Sequence, residues 1–480
     1  MAASTTLETR LFINGRYVDA NSTTRLTCHS TVNDEEIASV HVANITDVDA
    51  AVDAARAAFP AWSRLDPGER AKVLLRFADL LEEHVSEIAH LEALCNVKPV
   101  RLFREYELPQ AVEIFRYYAG WCGKLSGESF PVSKGFLKIV QREPLGVCAG
   151  VTAFNAPIMG MAMKAAPSLA AGNTIILKAS EKSPLSTLYL GKLATAAGIP
   201  SGVMNLLSGD GVTGSLLASH MGINKISFTG SVGTGRKIAQ AAPQSNFKRV
   251  SLEMGGKSPS IIFPDADLDE AVSWCVRGIL VLAGQVCFAS SRVYVHESIR
   301  DDVISRMKAA FAEISAVAGN PLDDATEYPP LVDQAHYQRV ASMIEQGKAE
   351  ATLVAGGNRL FSKGNWMQPS IFVDPSPNAA INSEEIFGPV VVISGFVEEK
   401  EVVALANDTP FGLSGAVFTQ NLQRGLRVAG AITSGTVCIN CCAMLDTQVP
   451  FRGWGHSGVG SELGKEGLLE YTQTKTVFVR

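Results

Sequence analysis

The 480-residue sequence predicts an α/β protein made of two parallel-sheet units and a small β arm. Three observations lead there. From Gly146 onward, strand-like runs at 147–153, 174–177, 203–207 and 225–228 alternate with helical stretches at 184–197, 212–219 and 235–242. Successive strand–helix units of this length give parallel strands covered by helices on both faces. The alternation restarts near Ser260, with a strand at 261–263 and a helix at 268–283, so a second unit begins near residue 256. Residues 121–140 fit neither pattern and end in a strand-like run at 136–140, as an arm reaching a neighbouring subunit would. The first hundred residues add a short hairpin (11–13, an Asn14-Gly15 turn, 17–18) and amphipathic helices at 49–59 and 71–88.

Composition excludes several function classes. Hydrophobic residues make up 46% and charged residues 19%, the profile of a packed globular protein. Net charge is −6 with no block of Lys or Arg, so no nucleic-acid partner is expected. The first twenty residues show no basic-then-apolar leader, and no apolar run nears the roughly 20 residues that span a bilayer, so a cytoplasmic location is expected. Nine scattered cysteines do not form a disulfide framework. Cys438 and Cys441 are spaced as CxxC, but lie by a run, 436–439, that reads as a buried strand, with no second pair or His to complete a metal site.

Chemistry-bearing residues cluster at strand ends, each with two readings. In "GQVCFA", Cys287 is a buried small hydrophobe or a nucleophile on a Gly-started loop. In "SLEMGG", Glu253 is an exposed strand-end carboxylate or a base whose pKa is raised by apolar neighbours. Asn155 in "FNAP" starts a turn or donates to an oxyanion. Lys178 and Glu181 are a surface ion pair or contacts for ribose hydroxyls and phosphate. "FTGSVGTG" (228–235) is a steric strand–helix turn or a phosphate cradle at a helix N-terminus. It lacks the GK[ST] ending of a P-loop, and "GGKS" at 255–258 lacks that motif's first glycine, Ser251 standing there. Together these residues supply a thiol, a base, an amide donor and a dinucleotide-like cradle, the parts for attack on a carbonyl, oxidation of the adduct and hydrolysis of a thioester.

The set "FNAP", "LKASEKSP", "FTGSVGTG", "LEMGGKSP", "GQVCFASSR", "EEIFGPV", "PFGLSGAVF" and "PFRGWGHSGVGSELGKEGLLEYTQTKTV", in that order over essentially the whole chain, resembles the NAD(P)-dependent aldehyde dehydrogenase superfamily. The resemblance implies a Rossmann-like cofactor domain (1–120 and 143–255), a catalytic domain (256–455), and an oligomerisation arm and tail (121–142 and 456–480). It implies Cys287 as nucleophile, Asn155 and the Cys287 backbone N–H as oxyanion donors, and Glu253 as the base that activates water. Lys178 and Glu181 would contact the adenosine ribose, Gly230 and Ser231 the pyrophosphate, and Glu385 the nicotinamide ribose. Phe387 would pack on the nicotinamide, and Phe154, where the family usually has Trp, borders the same site. A carboxylate facing the ribose 2′-hydroxyl repels a 2′-phosphate, so Glu181 favours NAD over NADP, although Lys182 lies beside it.

Departures from the family pattern bear on substrate. Arg452 replaces a common Gly and Ser461 a common Arg. Where relatives acting on small aldehydes often carry aromatics, this chain has Ala156, Met159, Gly160 and Met163, with Leu445 opposite, Val286 and Phe288 beside the nucleophile, and Phe451 closing a wall. These residues predict a wide apolar tunnel for aromatic, polycyclic or long-chain aldehydes, unless other side chains refill the space. No Arg or Lys occurs in 156–163, which disfavours acidic semialdehydes, though Arg452 could supply that charge. The competing functions are acyl transfer to coenzyme A, which Glu253 opposes, and a non-catalytic scaffold, which the presence of both Cys287 and Glu253 opposes. The strand-like end of the chain (471–479) and the arm predict a homodimer or homotetramer.

Overall fold

The computed structural model describes residues 7–480. Five parallel strands form the centre of the first sheet, in the order Met204–Leu207, Thr174–Lys178, Val147–Val151, Lys225–Thr229 and Arg249–Glu253. Every residue of Val147–Val151 and Thr174–Lys178 is buried, which is why these strands are nearly continuous apolar runs. The hairpin Leu11–Ile13/Arg16–Val18 closes one edge, and Gly458–Val459 pairs antiparallel with Arg249–Glu253 at the other. The chain builds outward from Val147–Val151 in one direction, then crosses to Lys225–Thr229 on its other side. That reversal opens a crevice at the carboxyl ends of the strands. There the sequence places Asn155, Lys178, Gly230 and Glu253.

The second sheet runs Thr352–Ala355, Ser370–Val373, Val390–Phe396, Arg292–His296, Pro259–Ile262, Ser414–Phe418 and Thr436–Ile439, all parallel except the first. Thr436–Ile439 is its edge, half-buried rather than the buried strand the sequence suggests, with Cys438 itself buried. Each sheet is covered by its own hydrophobic core. A third sheet joins Glu128–Ser133, Phe136–Pro144 and Thr472–Val479. The last segment therefore divides: Leu463, Leu468 and Tyr471 are buried in the first core, and only Thr472–Val479 enters the arm sheet.

Two helices differ from the periodic reading. The apolar stripe at 71–88 is cut at His84 into Pro67–Glu83 and Val85–Cys95. Both pieces pack on the helix Leu185–Ala196, while the first packs mainly on Leu108–Ala119, and the His84 ring is hydrogen-bonded to the Tyr189 hydroxyl at 3.0 Å. The helix expected over 268–283 stops at Leu280, because Leu282, Ala283 and Gly284 take left-handed φ values of 50°, 53° and 74°. Left-handed backbone is costly for Leu and Ala. It persists here because Gln285 locks the turn. The Gln285 side chain is fully buried; its amide donates to the carbonyls of Leu282 (2.8 Å) and Pro330 (3.2 Å), and its Oε1 accepts from Val332 N (3.0 Å). Gly284 has no alternative, since a Cβ there would stand 2.1 Å from the Gly388 carbonyl oxygen.

Candidate active site

The crevice is a cleft of about 830 Å³ between the two sheets, and all ten residues that the sequence nominated for chemistry or cofactor contact line it. Cys287 stands at its inner end, on the loop locked by Gln285. The Asn155 amide donates to the Gln285 carbonyl at 2.9 Å, which ties the end of the first sheet's central strand to the thiol loop and leaves its second N–H free for the cleft. Burial pushes the Cys287 thiol well above its ordinary range, the carboxylates of Glu385 and Glu253 add to this, and the N–H groups of Cys287 and Phe288 work in the opposite direction. The resting sulfur is protonated, and forming the thiolate requires a proton acceptor nearby.

Glu253 fits that need. It ends its strand 3% exposed, and both carboxylate oxygens are buried without a hydrogen-bond partner. Burial raises its pKa well above 4.5, Glu462 raises it further, and Lys164 and Arg452 partly offset this. Its neighbours are themselves held. Lys164, fully buried, donates to Glu462 Oε1 at 2.5 Å and to Thr229 Oγ1 at 2.7 Å. The unmatched Arg452 of the sequence thus has a physical effect, placing a positive charge within reach of this carboxylate.

The rest of the cleft suits an extended dinucleotide. Ser231 caps the helix Val232–Gln244, its Oγ accepting from Thr234 N at 3.4 Å, and a Cβ on Gly233 would meet nothing within 4 Å. Open backbone at a helix N-terminus is an anion site. Gly230 is constrained from inside as well, because a Cβ there would lie 2.5 Å from the Phe228 ring. Lys178 Nζ contacts Glu181 at 3.3 Å, and burial lowers its pKa. Glu385 accepts from Gly256 N at 3.3 Å, and burial lifts its pKa to about 7. Its carboxylate occupies the space a side chain on Gly255 would need. Phe387 is in left-handed conformation at φ 57° and meets Phe154 edge-on, with centroids 5.8 Å apart.

Two lining residues were not read from the sequence. His336 Nε2 donates to the Phe387 carbonyl at 2.7 Å, and Arg339 donates to the carbonyls of Ile386 (2.6 Å) and Glu385 (2.7 Å). Three successive carbonyls are thus held by an i, i+3 pair on the helix Gln334–Glu350. Burial lowers the His336 pKa to about 4, so it is neutral at pH 7. In the sequence both look like the polar face of a surface helix.

Met159, Met163 and Leu445 line a separate groove of about 80 Å³ with Ile114, Leu463 and the polar Gln110, Glu113, Asp446 and Thr447, so it is narrower and more polar than the wide apolar tunnel the sequence predicts. Phe288 and Phe451 meet edge-on at 6.1 Å. A Cβ on Gly160 would find only Thr152, at 3.8 Å. Ala156 precedes the first turn of the helix Pro157–Ala170, whose Met159 N donates to Glu107 Oε1 at 3.2 Å, from a π-helical turn, Phe103–Glu107. Val286 turns instead into the second core. All nine cysteines are free thiols. Among the described residues no group of His, Cys, Asp or Glu is arranged to hold a metal, and no helix is long and apolar enough to cross a membrane.

Comparison with known proteins agrees with this geometry. The model of the aldehyde dehydrogenase family matches residues 17–477. An aldehyde dehydrogenase of Emericella nidulans is 42% identical over 98% of this chain and 95% of its own. Retinal dehydrogenase 2 of Homo sapiens is 42% identical over 98% of this chain and 92% of its own. The structure of P. syringae indole-3-acetaldehyde dehydrogenase in complex with NAD+ and IAA superposes with a TM-score of 0.97 at 37% identity, covering 99% of this chain and 97% of that one. With a family model spanning nearly its whole length and relatives this similar, the chain belongs to the aldehyde dehydrogenase family.

Proposed function

We propose that the protein oxidises bulky apolar or aromatic aldehydes to carboxylic acids with NAD, through a thiohemiacetal and an acyl thioester on Cys287. The observation that carries the chemistry is Glu253: a buried carboxylate with both oxygens unpartnered, in the same cleft as a thiol and an amide donor. Such a group costs stability and persists where it is used. Glu253 takes a proton, first in freeing the thiolate and later from the water that cleaves the thioester. Asn155 and the Cys287 N–H hold the oxyanion that forms when sulfur attacks the carbonyl carbon. Bound NAD would supply the hydride acceptor; Ser231 and the open helix terminus would hold its phosphates, Lys178 and Glu181 its adenosine ribose, and Glu385 its second ribose. The clamp of His336 and Arg339 keeps the Glu385–Phe387 segment in register for this. A dedicated water-activating base at the thiol favours hydrolysis over acyl transfer to coenzyme A.

The substrate class rests on the groove walls. Met159, Met163 and Leu445 are apolar and unbranched at Cβ, and methionine swings to admit irregular ligands, which would widen a groove that Gln110, Glu113, Asp446 and Thr447 also line. Relatives named for retinal and for indole-3-acetaldehyde, both large apolar aldehydes, point the same way. The arm leaves Phe130, Val132, Phe478 and Val479 exposed, an apolar surface suited to a second subunit, so a homo-oligomer is part of the proposal. The test is NADH formation over a panel from acetaldehyde through hexanal and benzaldehyde to naphthaldehyde and long-chain enals, with Cys287→Ala as control. Turnover that rises with apolar bulk and vanishes in the control is expected. A strong preference for acetaldehyde would sink the substrate reading, and activity in the control would sink the nucleophile.

A further inference from the structure

Four cations line the cofactor cleft: Lys178, Lys182, Lys237 and Arg339. Their commitments decide what anion the cleft can take. Lys178 is spent on Glu181 and on the Ala179 carbonyl, at 2.9 Å. Arg339 is spent on two backbone carbonyls. Lys182, next in sequence to the carboxylate that faces the ribose, reaches away from it across the cleft. Its Nζ meets Asp333 Oδ2 at 2.5 Å and stands 5.6 Å from the centre of the Phe154 ring. Asp333 is the N-cap of the helix Gln334–Glu350 in the second unit, its other oxygen accepting from His336 N at 2.7 Å. The ion pair therefore joins two units over the cleft, with side chains 30% and 35% exposed. Pairs so exposed add little to stability, which turns attention to what this one does to the cleft.

Resting on the reading that this cleft holds NAD, we propose that Asp333 is a specificity-determining residue for the cofactor: by holding Lys182 across the cleft, it denies a 2′-phosphate the lysine that follows Glu181 in sequence, Lys178 being already paired with Glu181. Glu181 excludes the phosphate by repulsion. Asp333 excludes it a second way, by removing the cation that would compensate. Discrimination of this kind, a repulsive element beside a withheld attractive one, is how specificity between near-identical ligands is reached. Lys237, exposed on the helix Val232–Gln244, is the remaining uncommitted cation and serves as the comparison.

The test is calorimetric binding of NAD+, NADP+ and adenosine 2′,5′-bisphosphate to the full-length protein, its Glu181→Gln variant, and that variant carrying Asp333→Asn. Asn keeps an oxygen for the helix cap while losing the charge, and Asp333→Ser provides a second cap-preserving variant should Asn fold poorly. A freed lysine facing a doubly charged phosphate is expected to tighten NADP+ and the bisphosphate by at least about tenfold over Glu181→Gln alone. NAD+ affinity should stay within a few-fold of that of Glu181→Gln alone, and adding Lys182→Met should cancel the gain. No gain on Asp333→Asn or Asp333→Ser with NAD+ binding intact overturns the proposal. So does a gain that survives Lys182→Met and disappears with Lys237→Met. Failure of the unmodified protein to bind NAD+ at all would instead remove the reading of the cleft on which the proposal stands.

Discussion

Replacing Glu253 by Gln tests one physical cause through two independent readouts. The carboxylate is buried with both oxygens unpartnered, and its pKa is raised well above 4.5 mainly by burial and then by Glu462. A folded-state pKa above the unfolded one means that the native protein keeps a proton the unfolded chain releases. Stability from this group is then complete below about pH 4.5 and is lost as pH rises toward the folded pKa. Gln is neutral at every pH and nearly isosteric, so the variant should match the wild type at pH 5 and exceed it at pH 8. The cost of a buried polar group without partners is common to Glu and Gln, so the difference is the linkage free energy, about 1.4 kcal/mol for each pH unit by which the folded carboxyl titrates above the unfolded one. Unfolding entropy scales to roughly 1 kcal/mol per degree for a chain of this length, so the melting temperature should rise by at least about 1 °C at pH 8. Kinetically, loss of a general base lowers steady-state turnover by about 10²–10⁴. The first turnover of NADH in rapid mixing should slow along with steady-state turnover, since on the proposed mechanism Glu253 also takes the proton from the Cys287 thiol. A variant less stable at pH 8, or one that keeps turnover within a few-fold, would refute the assignment of Glu253 as an unsatisfied base.

Asn155→Ala should lower kcat/KM by about 10²–10³ with NAD+ affinity unchanged, as expected for one oxyanion donor, and a loss under fivefold would remove it from that role. Because burial, Glu385 and Glu253 all push the Cys287 thiol up, its alkylation by iodoacetamide in the free protein should accelerate steadily from pH 6 to pH 10. A plateau below pH 7 would contradict this. Gly284→Ala puts a Cβ 2.1 Å from the Gly388 oxygen at φ 74° and should abolish soluble expression or thiol reactivity. Gly430→Ala, whose Cβ meets nothing within 4 Å, should be neutral or stabilising, and equal behaviour of the two glycine variants would defeat the steric argument.

The parallel sheets were legible because strands buried on both faces must be apolar runs and their crossovers must be helices, patterns that survive in one dimension. The glycine turn at 228–235 and the carboxylate at Glu253 stand at strand ends, so finding the strands located them too. What stayed hidden depends on contacts between distant segments. Nothing local marks Lys164 as buried: it sits in an apolar helix and meets Glu462 only through the tertiary fold. His336 and Arg339 occupy i, i+3 positions that are ordinary on any surface helix, and their use as a backbone clamp depends on where residues 385–387 pass. The left-handed turn at Leu282 and Ala283 carries no sequence signal of its own. Leu and Ala favour helix, which is why the periodicity ran on to 283, and the lock is supplied by the carbonyl and amide of residues 330 and 332.

The Lys164–Glu462 contact also orders events during synthesis. Its members are 298 residues apart. At about 5–20 residues per second, the lysine emerges roughly 15–60 s before its carboxylate. Throughout that interval a cation destined for the interior has no counter-charge, and the strand bearing Glu253 lacks its edge neighbour at Gly458–Val459. A chain stalled on the ribosome after residue 455 should therefore leave Leu252 and Glu253, the two residues that pair with Gly458–Val459, more open to hydrogen exchange than in the full chain, and equal protection there would contradict this timing. Translation thus completes the surroundings of Glu253 only when the last segment of the chain has emerged.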